Sequence, residues 1–373
     1  MTKPHNLTIE TTIALCRIAL SNKPSVGCEQ LFASDIDWAD VHKYAAKQGV
    51  AAIAWEGLQK AEQQGIIHSD SYPSKTTKLH WAYNVEKQIK RYRKQEQTIM
   101  KLASELSHDG IRLMILKGYG LSLDYPTPEH RSCSDIDIWL FGKHDTANEI
   151  IAKRFGIDID NDKHHHTVFY IDGVMIENHY DFLNINAHRS NRDIERELRS
   201  RIEEGASAIT IDNCEVWRPS TNGHALFLVR HAASHFASVE IVLRHVCDWG
   251  MFVKNHHSKI DWEWLNKVCK RHNMKQFMDA LTVAASDLCG FDIDQIPGIT
   301  RSTKLEQRIF NDILSPEFDE KKPTQGTLRI ILFKSRRWWT NRWKHRLVYN
   351  DGLISSFITQ SWSHILKPKG IKL

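Results

Sequence analysis

Over the first hundred residues, hydrophobic and polar positions alternate with the period of a helix. Residues 9–20 space their apolar side chains as one helix face does. Residues 38–58 follow the Asp-rich start Asp35-Ile36-Asp37, which suits a helix N-terminus. Residues 79–106 predict a long charged helix, with Trp81, Tyr83, Ile89, Ile99 and Leu102 among its apolar positions. The period then shortens to two. Residues 111–116 and 136–140 predict strands, and 166–171 with 174–180 predict a hairpin turning at Asp172-Gly173. A helix over about 145–154 separates the second strand from that hairpin. After Pro219 the helical period returns over 222–236, 240–253, 262–272, 275–288 and 327–343, with 297–304 a loop. The pattern predicts an α+β chain in three parts: a helical region 1–108, an α+β core 109–215 and a helical region 216–373.

Composition adds limits to this picture. With 373 residues, 41% hydrophobic and 25% charged, the chain is long enough for two or three domains, or for one large core with extensions. No apolar run reaches membrane-spanning length, and the polar start Met1-Thr2-Lys3-Pro4-His5 lacks a signal-peptide pattern. The seven cysteines are odd in number and include no Cys-x-x-Cys pair. They argue against a disulfide framework or a zinc site and for a reducing, cytoplasmic setting. Charge is uneven: from Arg329 onward ten Lys/Arg face one acid, Asp351, so that end carries +9 of a net +5 and residues 1–328 carry −4. Cations there interleave with Trp338, Trp339 and Trp343. Either an amphipathic helix docks its indoles on the body, or residues 329–346 contact a polyanion: nucleic acid, other phosphates or an anionic membrane surface.

Candidate chemistry centres on Ser134-Asp135-Ile136-Asp137-Ile138-Trp139-Leu140. On a strand, residues i and i+2 share a face, so Asp135 and Asp137 stand side by side while Ile136 and Ile138 face the core. Two like charges so placed repel unless a cation neutralises them, and hard carboxylate oxygens suit Mg²⁺ or Mn²⁺. The plain alternative is a solvated acidic edge strand. Glu177, in a later strand, would as third carboxylate complete a two-metal site, one ion holding a triphosphate and the other acidifying the attacking hydroxyl. Lys117-Gly118 follows the first strand, where glycine lets a phosphate approach the backbone and the next residues can open a helix.

Each neighbour has two readings. Lys117 neutralises a γ-phosphate or is a surface lysine. Arg131 clamps phosphate with two arms or pairs with Asp135. Ser134 donates to phosphate or merely opens the strand. His179, two residues past Glu177, orients a carboxylate, acts on the acceptor or is satisfied in the core. The tract His164-His165-His166 reads as a solvated loop, with His166, at the strand start, the member best placed to matter. His231 and His235 share a helix face, but without Glu at 232 the zinc-protease motif is absent. His231 and Asp248 line or brace a cleft, or pack in the core.

Taken together, Leu116-Lys117-Gly118, Tyr125-Pro126, Arg131 with Ser134-Asp135-Ile136-Asp137, and Ile176-Glu177-Asn178-His179 resemble the polymerase-β-type nucleotidyltransferase superfamily. More closely, the chain resembles a poorly characterised bacterial nucleotidyltransferase family. Its members read Leu-Lys-Gly, Arg-x-x-x-Asp-hydrophobic-Asp and hydrophobic-Glu-x-His in that order. The likeness covers residues 111–180 and extends more softly to His231–His235 and to 244–248. It implies a small mixed sheet with helices on one face and a cleft roofed by appended helices. It implies transfer of a nucleoside monophosphate from an NTP to a hydroxyl, with release of pyrophosphate. Carried over, Asp135 and Asp137 bind Mg²⁺, Glu177 completes the set and helps to activate the acceptor, and the Gly118 backbone contacts the triphosphate. One departure is the loop 124–130, which places Asp135 seventeen positions after Gly118. The acceptor stays open between RNA, protein and a small metabolite, and a non-catalytic nucleotide- or RNA-binding module is the other class. Removing either of two repelling carboxylates is expected to abolish activity while leaving stability unchanged or raised.

Overall fold

Helices open the chain: α1 (Lys3–Ser21), α2 (Cys28–Phe32), α3 (Trp38–Lys47), α4 (Ala51–Gln63) and α5 (Lys75–Ser107). The computed structural model describes residues 3–21, 27–238, 240–320, 323–324 and 326–352; Lys367, Lys369 and Lys372 of the basic C-terminal count lie outside them. Asp37 caps α3, accepting from the amides of Ala39 and Asp40 at 3.0 and 3.1 Å. The single helix expected over 38–58 is two helices, broken at Gly49, whose φ of 70° is left-handed. The Arg244 stem passes 3.3 Å from where a Cβ on Gly49 would lie, so glycine also makes room for that side chain.

The central block runs β1 (Met114–Ile115), α6 (Tyr119–Ser122), β2 (Asp135–Trp139), α7 (His144–Phe155), β3 (His166–Ile171), β4 (Val174–His179), α8 (Arg189–Arg201), β5 (Ser207–Ile211) and β6 (Cys214–Arg218). The remainder is helical: α9 (Thr221–Ser238), α10 (Leu243–His256), α11 (Trp262–Arg271), α12 (Lys275–Cys289), α13 (Thr303–Leu314), α14 (Thr327–Thr340) and α15 (Arg342–Val348). One six-stranded mixed sheet has the order β3-β4-β2-β1-β6-β5. The fold is thus mixed α+β. The hairpin β5–β6 and the helices α8, α13 and α15 have no counterpart in the sequence pattern. Strand β5 is mostly exposed, and α8 has just two apolar residues, Ile194 and Leu198, so each offers few hydrophobic positions to read.

The sheet divides two cores. Ile136, Ile138, Ile176 and Phe169 pack with Ile99, Leu102 and Leu106 of α5 and with Ala147 and Ile151 of α7. On the other side, Met114, Leu116 and Trp139 join a larger cluster that includes Leu15 of α1, Ile53 of α4, Phe227 of α9, Val246 of α10 and Leu281 of α12. The N- and C-terminal helices therefore share one core on the face that carries the site. All seven cysteines are free thiols. Among the described residues no helix is long and apolar enough to cross a membrane.

Candidate functional site

Strands β2 and β4 run parallel with Asp137 opposite Glu177 and Trp139 opposite His179, and β3 sets His166 opposite His179. Burial of Ile136, Ile138 and Ile176 fixes this register, because a one-residue slip would turn them toward the cleft. Asp135, Asp137, Glu177, His179 and His166 consequently share one face and line a cleft of about 580 Å³. Its rim and roof come from α9, α10 and the segment after β4.

The two aspartates are not equivalent. Asp137 is 1% exposed. Its Oδ1 accepts from Lys117 Nζ at 3.1 Å and lies 3.0 Å from His179 Nε2, while its buried Oδ2 has no hydrogen-bond partner among the described residues. Asp135 is half-buried and accepts from the Ser134 hydroxyl at 3.0 Å. Glu177 stands 3.9 Å from His179 Nε2 and 3.7 Å from His166 Nε2. One donor atom each of Asp137, Glu177 and His179 lies within 4.8 Å of the others. The structure thus draws His179 into the expected carboxylate set and leaves Asp135 one step to the side. Burial opposes ionisation of Asp137, but Lys117 and His179 outweigh it and hold this carboxyl well below its usual range. Burial and the charge of Asp137 push Glu177 upward.

Lys117 is not a surface residue: it faces the cleft, paired with Asp137. Gly118 has φ 59°, and a Cβ there would lie 2.9 Å from Cys133 Sγ and 3.3 Å from the Asp135 carbonyl. The helix expected to follow it is one turn, α6. Arg131 forks onto Asp248, Nε to Oδ1 at 3.0 Å and Nη2 to Oδ2 at 2.8 Å, and the Tyr125 hydroxyl donates to the same Oδ1 at 2.7 Å. The expected partner Asp135 is therefore replaced by a residue 117 positions away, and the fork proposed for phosphate is already engaged. The reason is the loop 124–130. Asp124, Tyr125 and His130 tie it to Arg218 and His256, to Asp248 and to Glu56, which carries Arg131 beneath α10.

Helices α9 and α10 supply the opposite wall. The His231 and His235 rings lie 4.4 Å apart, and His245 sits 6.3 and 6.0 Å from them. Burial lowers all three, His235 to about 4 and His245 to about 3, so these rings are neutral at pH 7. Arg244 donates from Nη1 to the Ser132 carbonyl at 2.8 Å, and its buried Nε has no partner among the described residues. The i, i+4 spacing announced His231 and His235, but no local pattern marks His245 or Arg244 as cleft-lining, and only the softer likeness over 244–248 touches them. His165 and His166 also line the cleft instead of lying in a solvated loop. The described part of the basic C-terminal region is docked in places and exposed in others. Trp343 packs edge-on against Phe236 and Lys344 is buried against Asp312 at 2.5 Å, whereas Trp339 is 63% exposed with Arg342 stacked over it.

A mixed sheet with buried acids on its floor, facing cationic and imidazole side chains, defines a cleft built to receive a charged ligand. The chain's family narrows that class. Residues 34–290 match the model of an uncharacterised nucleotidyltransferase family, and the chain belongs to that family. Membership supports nucleotidyl transfer as the class of activity and an NTP as substrate. No curated protein and no solved structure matches the chain.

Proposed function

We propose that the protein transfers a nucleoside monophosphate from an NTP to a hydroxyl acceptor, on a polymerase-β-type core and with two Mg²⁺ or Mn²⁺ ions. The observation that carries this reading is the buried Asp137 Oδ2, a carboxylate oxygen without a hydrogen-bond partner among the described residues, set opposite Glu177 on the cleft floor. A carboxylate oxygen buried bare is costly, and a hard divalent cation is the ligand that would satisfy it. Asp135, Asp137 and Glu177 would hold the cations. When bound, they neutralise the polyphosphate and acidify the attacking hydroxyl.

The side chains of this chain account for the remaining tasks. Lys117 and Arg244 offer cationic N–H groups to the polyphosphate, and Ser134 and the Gly118 backbone lie beside them on the cleft lining. His179 fixes the Asp137 carboxylate. Glu177, whose proton affinity is raised, takes the proton from the acceptor hydroxyl. The acceptor oxygen bonds to the α-phosphorus, the bond from that phosphorus to the β-bridging oxygen breaks, and pyrophosphate leaves with the electron pair. Arg131 and Asp248 act as positioning residues beneath the lining rather than on phosphate.

Label transfer tests the reading. The protein is incubated with Mg²⁺ or Mn²⁺ and each NTP, labelled at the α- or γ-phosphate, with host extract as source of RNA, protein and small-metabolite acceptors. Label is expected from the α-position alone, and the Asp135→Ala/Asp137→Ala variant should lose it by a factor of about a thousand or more. γ-Label on the acceptor would make the protein a phosphotransferase. NTP binding without transfer of either label would favour a nucleotide- or RNA-binding module.

A further inference from the structure

A second set of donors lies beside the acids. His165 and His166 lead into β3, whose register sets His166 opposite His179. One ring nitrogen from each of His165, His166 and His179 lies within 4.8 Å of the other two. The rings meet at 84°, 55° and 47°, so their nitrogens converge without face-to-face stacking. Nδ1 of His165 and Nδ1 of His166 are both buried and have no hydrogen-bond partner among the described residues. Two buried ring nitrogens of adjacent residues left without a hydrogen bond in one polar cleft are unusual, because buried polar atoms are nearly always satisfied.

His179 adds an independent sign. Its Nδ1 lies 3.2 Å from the Asp181 carbonyl, which can only accept, so Nδ1 carries the hydrogen. Its Nε2 is turned to the acids, 3.0 Å from Asp137 Oδ1 and 3.9 Å from Glu177 Oε2. A ring held by a carbonyl at one nitrogen with the other turned toward carboxylates is the usual setting of a metal-binding imidazole.

We propose that His165, His166 and His179 form a site for an imidazole-preferring divalent transition metal, Zn²⁺ above all, with the neighbouring Glu177 carboxylate as fourth ligand. Three nitrogens and one carboxylate oxygen fit a tetrahedral ion of this class, whereas Mg²⁺ keeps to oxygen and water. The site lies in the cleft of the transferase proposed above and shares His179 and Glu177 with it. It divides the floor into an oxygen-rich half under Asp135 and Asp137 and a nitrogen-rich half at the entry to β3.

Co²⁺ is the probe. Metal-free protein is titrated with Co²⁺, and visible d–d bands are followed, with Zn²⁺ and then Mg²⁺ as competitors. One equivalent should bind with bands of a tetrahedral, nitrogen-rich ion, displaced by Zn²⁺ and unmoved by Mg²⁺. His165→Ala/His166→Ala should weaken Co²⁺ binding about tenfold or more. The single variants His165→Gln and His166→Gln, which keep polarity and most of the volume, carry the same expectation should the double variant fail to fold. Absence of bands in the unaltered protein, or unchanged binding in the folded variants, overturns the site. α-Phosphate transfer is scored separately. Transfer failing while the bands persist overturns the reaction proposed above and leaves the site supported; transfer proceeding without bands overturns the site alone.

Discussion

The floor and the roof of the cleft treat ionisable groups in opposite ways. On the floor, Asp137 is almost fully buried and yet kept charged, because Lys117 and His179 meet the same carboxylate oxygen. On the roof, His231, His235 and His245 are half-buried and kept neutral, because desolvation outweighs the pull of the nearby acids. The comparison shows where charge is fixed and where it is left to a ligand. Of the cationic side chains lining the cleft, Arg131 is committed to Asp248, Lys117 pairs with Asp137 on the floor with N–H groups to spare for a ligand, and Arg244 is the roof's contribution.

The largest effect that would break this comparison lies at Asp137. Like-charge repulsion alone predicts that removing Asp135 or Asp137 is harmless to stability. The structure corrects that for Asp137. Asp137→Ala would strand the Lys117 ammonium in the floor, and removing one partner of a buried pair costs about 3–5 kcal/mol. Asp135→Ala removes a half-buried acid whose contact is the Ser134 hydroxyl, and should stay within about 0.5 kcal/mol. Urea unfolding at pH 7 without metal measures both. Equal losses would mean that the two acids are interchangeable and that Lys117 is not committed to one of them.

The acids were legible in sequence for a local reason. Alternation over 134–140 and 174–180 fixes which side chains share a face, and no distant partner is needed to see it. The parallel pairing of β2 with β4, which sets Asp137 against Glu177, is a tertiary fact that the local pattern allows but does not contain. The same limit explains the misplaced partner of Arg131, since Asp248 reaches it only after the 124–130 loop and α10 have packed. It also explains why His165 reads as loop. Strand β5 escaped because an exposed edge strand buries too little to show a period, although the Asp212-Asn213 turn, with both residues at positive φ, is itself a hairpin signal.

The brace under the cleft sharpens the contrast through pH. Burial would raise Asp248, but the Arg131 fork outweighs it and brings this carboxyl down to about 2. A carboxyl lowered in the folded state contributes stability that is present above its unfolded value near 3.8 and is lost as pH falls through about 2. The contribution is about 2 kcal/mol. Urea midpoints followed downward from about pH 5 should fall steeply as Asp248 protonates. Asp248→Asn, already less stable because Arg131 is left unpaired, should show a shallower decline over the same interval. An identical slope in both proteins would remove Asp248 from the acid transition.

The smallest expected effect tests the roof itself. Arg244 spends Nη1 on the Ser132 carbonyl while its side chain lines the cleft, so its replacement removes a cationic ligand contact. Arg244→Gln should raise half-saturating NTP about tenfold, the value of one charge-assisted hydrogen bond, with the thermal midpoint nearly unchanged. His235→Gln should leave NTP affinity where it is, because a ring kept neutral offers the polyphosphate no charge to lose. The pair of variants separates two kinds of roof. If His235→Gln weakened NTP binding as much as Arg244→Gln, the imidazoles would be gripping the nucleotide directly, and the division into a charged floor and a neutral roof would not survive substrate binding. If Arg244→Gln alone does so, the roof works through one guanidinium whose position is set by Gly49 behind it and Ser132 beneath it.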